Sequence, residues 1–180
     1  MNHNETVTAK KKTGVRSICF TAVMAALIFV FTFTFKLPLG NGYTHLGDAI
    51  IFLSIPLLGS KKSCLAAGIG AALADIIGGY TIWAPPTFFI KLLLVLICGL
   101  FAEKLMKHKF VGYIIGAVLG GAFQIAAYTL VKVVMFDKAY ALSSLPTLAI
   151  QTAVGIAAAL IFIAIFNKTN VTAKLRKMAE

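Results

Sequence analysis

Acidic side chains are scarce in this chain: six Asp and Glu stand against 17 Lys and Arg. No paired-carboxylate acid–base site can be assembled from so few. Histidine is limited to His3, His45 and His108, and neither an H-E-x-x-H pair nor a serine or cysteine triad can be built around them. The cysteines Cys19, Cys64 and Cys98 lie singly inside apolar runs, with no C-x-x-C spacing, so no metal knuckle or redox motif is indicated. A phosphate loop is also missing, because Gly59-Ser60-Lys61-Lys62-Ser63 lacks the leading glycine that such a loop needs. The chain is therefore not expected to be an enzyme, to hydrolyse ATP itself, or to carry a metal or cofactor. No small-residue cleavage site follows the first apolar run, so a cleaved signal peptide is not expected either.

What the chain has instead is apolar surface. Hydrophobic residues make up 59% of its 180 positions, and mean hydropathy is +0.91. Soluble domains are about 45–50% apolar, and one domain of this length has no interior large enough to bury the excess. A bilayer resolves it, because lipid requires no polar face. The net charge of +11 would suit nucleic acid, but the basic residues fall in short clusters between apolar runs, which reads as membrane topology and contact with anionic lipid.

Apolar runs occupy about 17–35, 49–58, 63–79, 87–102, 110–136 and 145–166. The basic clusters lie at 10–16, at Lys61 and Lys62, at Lys104, Lys107 and Lys109, and from Lys168 to Lys177; the remaining connections hold only Lys36 and Lys138. The positive-inside rule places the first set in the cytoplasm. The expectation is an all-α, polytopic membrane protein with six transmembrane helices and both termini cytoplasmic. It forms a single domain over residues 1–180, with basic tails at 1–16 and 168–180. The run 49–58 is short for a span of about 20 residues, and the charge alternation requires it to cross. Gly78-Gly79 closes the third helix and Pro85-Pro86 opens the fourth.

Polar groups inside spans are costly and point to function by default. Asp75, Lys91, Gln124, Tyr128, Lys132 and Gln151 all fall in the external halves of helices 3 to 6, whereas the cytoplasmic halves hold little that is comparable. This asymmetry predicts a polar cavity open to the outside. Each residue has a plainer reading. Lys91 and Lys132 can snorkel to the interface, Asp75 can pair with a lysine, the glutamines can bridge helices, and His45, Tyr80 and Trp83 can form an interfacial belt. Gly112, Gly116 and Gly120 continue the spacing of Gln124 and Tyr128 and predict close helix packing.

The segment Tyr43-Thr44-His45-Leu46-Gly47-Asp48-Ala49, followed by Gly68 to Tyr80, Trp83-Ala84-Pro85 and Ile90-Lys91, resembles the substrate-binding S component of an energy-coupling factor (ECF) vitamin transporter of the riboflavin-type subgroup, over about residues 14–170. The resemblance implies a six-helix subunit of the bacterial cytoplasmic membrane that captures a vitamin in a lidded external pocket. It also implies a transmembrane coupling subunit and two ABC-type ATPases as partners, and no nucleic acid. The family's A-x-x-x-A coupling motif falls on Ala22 and Ala26. Asp75, Lys91 and Gln124 are expected to contact ligand, with Tyr43, His45 and Trp83 closing over it and Tyr80, Tyr128 and Gln151 completing the site. A small pyrimidine or pyridine vitamin, hydroxymethylpyrimidine or pyridoxine-like, is favoured over riboflavin. A self-sufficient secondary carrier or channel is the competing class.

Overall fold

The computed structural model describes residues 14–39, 42–107 and 109–179. The cluster Lys10 to Lys12 and His108 lie outside the described residues. The described chain is all-α apart from one two-stranded hairpin. Its helices are α1 (Val15–Thr34), α2 (Gly47–Leu58), α3 (Ser60–Ile77), α4 (Ala84–Gly99), α5 (Phe110–Met135), α6 (Lys138–Lys168) and α7 (Val171–Ala179). A π-helical turn, Leu100–Leu105, extends α4. The helices run alternately up and down. Their connections therefore gather at two ends: a hairpin end, with the strands and the turn before α4, and a tail end, with the α2–α3 turn, the π turn and α7.

Among the described residues, three helices are long and apolar enough to cross a membrane: Val15–Thr34, Phe110–Met135 and Lys138–Lys168. Each keeps an apolar face exposed, as at Val23 and Leu27, Val118 and Leu130, and Leu142 and Ile161. Contiguous exposed apolar surface of this kind suits lipid. The shorter α2 solves its length problem differently. It is apolar on all sides, which is the mark of an enclosed helix, and every residue except Ile50 is buried. It packs against α1, α3, α4 and α6, with α7 at its tail end.

Small residues let the helices approach this closely. A Cβ on Gly116 would stand 2.5 Å from the Cys98 carbonyl oxygen, one on Gly70 2.4 Å from that of Ala25, and one on Gly155 2.7 Å from the Asp48 Cβ. These contacts seat α5 on α4, α3 on α1 and α6 on α2. Between α2 and α3 the chain reverses at Gly59, whose φ of +81° falls where glycine has no steric penalty.

Three segments differ from the sequence expectation. The turn-rich stretch after α1 pairs as an antiparallel hairpin, Lys36–Leu39 with Gly42–His45, in the register Lys36↔His45 to Leu39↔Gly42. The sixth helix starts at Lys138, ahead of the expected 145, because the Asp137 carboxylate accepts from the Tyr140 backbone N–H at 2.7 Å and caps it. Within the basic C-terminal tail, Val171–Ala179 is helical, and its Leu175 packs on the core while Lys174 and Lys177 remain exposed.

Candidate ligand-binding site

Asp48 opens the first turn of α2 and is completely buried. Its Oδ1 accepts from the Lys91 ammonium of α4, and its Oδ2 accepts from Gln124 Nε2 of α5 at 2.8 Å and Gln151 Nε2 of α6 at 3.1 Å. Lys91 also donates to Gln124 Oε1 at 2.5 Å and lies 5.5 Å from the centre of the Tyr128 ring. Gln124 Nε2 reaches Thr152 Oγ1 at 2.9 Å, and that hydroxyl donates to the Leu148 carbonyl. Four helices are thus tied through one carboxylate. Burying two charges is costly unless they are paired and their remaining valences are met, and here the partners are all in place. Asp48 also sits at a helix N-terminus, where negative charge is favoured.

On the hairpin side of this network lies a cavity of about 180 Å³. Of the residues expected at the site, His45, Asp75, Tyr80, Trp83, Lys91, Tyr128 and Gln151 line it. Gln124 sits behind Lys91 and is fully buried. Tyr43 belongs to the second strand, opposite Pro38, and its side chain lies outside the described residues. Lys91 forms part of the wall and is at the same time held by Asp48 and Gln124.

Residues that the sequence reading did not assign complete the wall. Helix α6 presents Tyr140, Ser144, Thr147 and Leu148 along one face beside the expected Gln151, and Thr32 and Thr87 come from α1 and α4. Tyr128 Oη and Thr87 Oγ1 are hydrogen-bonded at 3.1 Å. Aromatic rings edge the mouth: Trp83 lies 6.4 Å from Tyr128 and stacks at 5.8 Å on Phe136, which is 5.1 Å from Tyr140. Lys132 donates to Ser144 Oγ at 2.7 Å and lies 5.8 Å from the Tyr140 ring centre. Asp48 had a legible signal. A buried lysine needs a counter-charge, and only Asp48, Asp75 and Asp137 fall toward the hairpin end. The stripe on α6 had none, because its first residues were assigned to a loop.

Tail-end polar groups form a separate cluster. Glu103, in the π turn, accepts from the Ser60 backbone N–H and from Ser60 Oγ at 2.6 Å, capping α3, and pairs with Arg176 of α7 at 3.5 Å.

Chemically, the hairpin-end cavity offers aromatic faces, hydroxyls, a carboxamide, a carboxylate and an ammonium to one small molecule. Among the described residues, no group of His, Cys, Asp and Glu could hold a metal ion. The family model described as ECF-type riboflavin transporter, S component, matches residues 12–168. A Pyrococcus woesei protein, described as an uncharacterized protein in the gap 3′ region, is 32% identical over 120 residues, covering 67% of this chain and 79% of that protein.

Proposed function

Because the chain belongs to the ECF-type riboflavin transporter S component family, a family of multi-pass membrane subunits for vitamin uptake, we propose that it captures a one-ring vitamin or precursor in the hairpin-end cavity. In this reading helices α1 to α6 cross the membrane as one domain, the hairpin end faces outward, and both termini are cytoplasmic. The tail end supports that orientation, since Lys61, Lys62, Lys104, Lys107 and Lys109 gather there with the basic face of α7. A transmembrane coupling subunit and two ABC-type ATPases supply the energy. Ala22 and Ala26, both exposed on α1, offer the coupling subunit a small-residue face.

The observation that carries the substrate class is the cavity itself. At about 180 Å³ it is close to the roughly 150 Å³ void that takes up benzene, and below the roughly 300–1,000 Å³ of drug-sized sites. A substituted pyridine or pyrimidine fits this volume, with the Trp83 and Tyr128 rings in the cavity wall. Riboflavin, named in the family's description, is the second reading, and its tricycle and sugar-alcohol tail require a larger space. Competitive binding to the purified protein, read by native mass spectrometry with pyridoxine, hydroxymethylpyrimidine and riboflavin at equal concentration, separates the two. Retention of a one-ring compound is expected; riboflavin displacing both would sink the one-ring reading.

A further inference from the structure

Two lysines line the cavity in opposite circumstances. Lys91 is 1% exposed, paired with Asp48 and bonded to Gln124, so its charge is already neutralised within the protein. Lys132 is half-buried in the last turn of α5, and its one hydrogen bond is to a neutral hydroxyl, Ser144 Oγ. Ser144 in turn donates to the Ala141 carbonyl at 3.0 Å, which leaves its lone pair for Lys132. Among the described residues no carboxylate pairs with Lys132. Beyond its bond to Ser144 it lies 5.8 Å from the Tyr140 ring centre and lines the cavity, with its charge not neutralised by a carboxylate among the described residues. Asp75, on α3, brings a negative charge to the wall of the same cavity. Helices α3 and α5 pack on either side of α4, so the two charges enter from different sides of the site.

We propose that the cavity selects a dipolar heterocycle, carrying an ionised ring oxygen and a protonated ring nitrogen together, with Lys132 taking the oxygen and Asp75 the nitrogen. This rests on the reading of the cavity as a capture site for a one-ring vitamin. A 3-hydroxypyridine has this charge pattern; a neutral pyrimidine or isoalloxazine leaves Lys132 without a counter-charge.

The test uses the purified full chain in detergent and three probes: pyridoxine, its 3-O-methyl ether, and hydroxymethylpyrimidine. Calorimetry should show pyridoxine binding and the ether binding at least about tenfold more weakly, the scale of one lost charge-assisted hydrogen bond. Lys132→Met should weaken pyridoxine by a similar factor and the 3-O-methyl ether by less, because the ether has no ionised oxygen to lose, and Lys132→Arg should restore most of the pyridoxine affinity. If Lys132→Met does not fold, the ether comparison on the unaltered protein decides. Equal affinity for pyridoxine and its ether overturns the dipolar class, as does unchanged pyridoxine affinity in a folded Lys132→Met. Tight hydroxymethylpyrimidine or riboflavin binding without pyridoxine binding overturns the dipolar class alone and leaves vitamin capture standing. Binding of none of these compounds, riboflavin included, overturns both.

Discussion

At the hairpin end Lys91 and Asp48 pair with 1% and 0% of their side-chain surface exposed; at the tail end Arg176 and Glu103 pair with 32% and 16% exposed. The first pair is bonded on to Gln124 and Gln151 and ties four helices together. The second joins a π turn to the start of α3 and to a nine-residue helix. Removing one member of a buried pair strands a charge where water cannot reach it, whereas a partly exposed pair is replaced by water at little cost. The hairpin end is therefore built to hold one geometry behind the cavity, and the tail end to give way without loss of the fold.

Five variants test that contrast, from the largest expected effect downward. Lys91→Met leaves the Asp48 carboxylate buried and unpaired and should destabilise the protein by about 3–5 kcal/mol, seen as a large fall in the detergent melting temperature. Combining it with Asp48→Leu should recover much of the loss, because the stranded charge is gone. A wild-type melting temperature for Lys91→Met alone would show that the network does not hold the helices. Gly116→Ala forces a methyl to within 2.5 Å of the Cys98 carbonyl oxygen, and separating α4 from α5 should cost about 1–3 kcal/mol. Unaltered thermal stability there would mean that the helix pair shifts freely. Glu103→Gln keeps a cap for Ser60 and loses the Arg176 pair, so its effect should stay within about 1 kcal/mol; a loss as large as that of Lys91→Met would erase the difference between the two ends. Ala22→Trp with Ala26→Trp alters exposed positions and should leave melting and ligand affinity nearly unchanged, while co-purification with the coupling subunit is lost. Normal co-purification would move the docking face away from α1.

Helices α1 to α6 were legible because lipid-facing and enclosed helices both read as apolar runs. The expected 17–35 and 110–136 correspond to Val15–Thr34 and Phe110–Met135. Gly78 and Gly79 end α3, and Pro85 and Pro86 stand in the first turn of α4, as their backbone preferences dictate. The depth argument brought Asp75, Lys91, Tyr128 and Gln151 to one cavity wall. It could not say which of them faces a guest and which faces another helix. That division depends on partners far along the chain: Lys91 is committed by a carboxylate 43 residues away, which no local pattern reveals. Lengths near the ends were hidden by composition. The first turns of α6 carry Lys138, Tyr140 and Ser143 and look like a loop until the Asp137 cap is seen. The basic residues of α7 look like a solvated tail, although Val171, Leu175 and Met178 fall on one side of a helix.

The enclosure of α2 has a consequence for the order in which the protein is made. Asp48 leaves the ribosome 43 residues before Lys91, 76 before Gln124 and 103 before Gln151. At about 5–20 residues per second the last of these partners follows roughly 5–20 s behind. Through that interval α2 is too short to stand in lipid alone and carries a carboxylate that lipid does not solvate. It must be sheltered at the site of insertion until α4 supplies the cation and α6 closes over it. A chain stopped ahead of α6 therefore lacks both the Gln151 carboxamide and the helix that packs along α2, and it presents its most apolar segment to the machinery that clears unfinished membrane proteins.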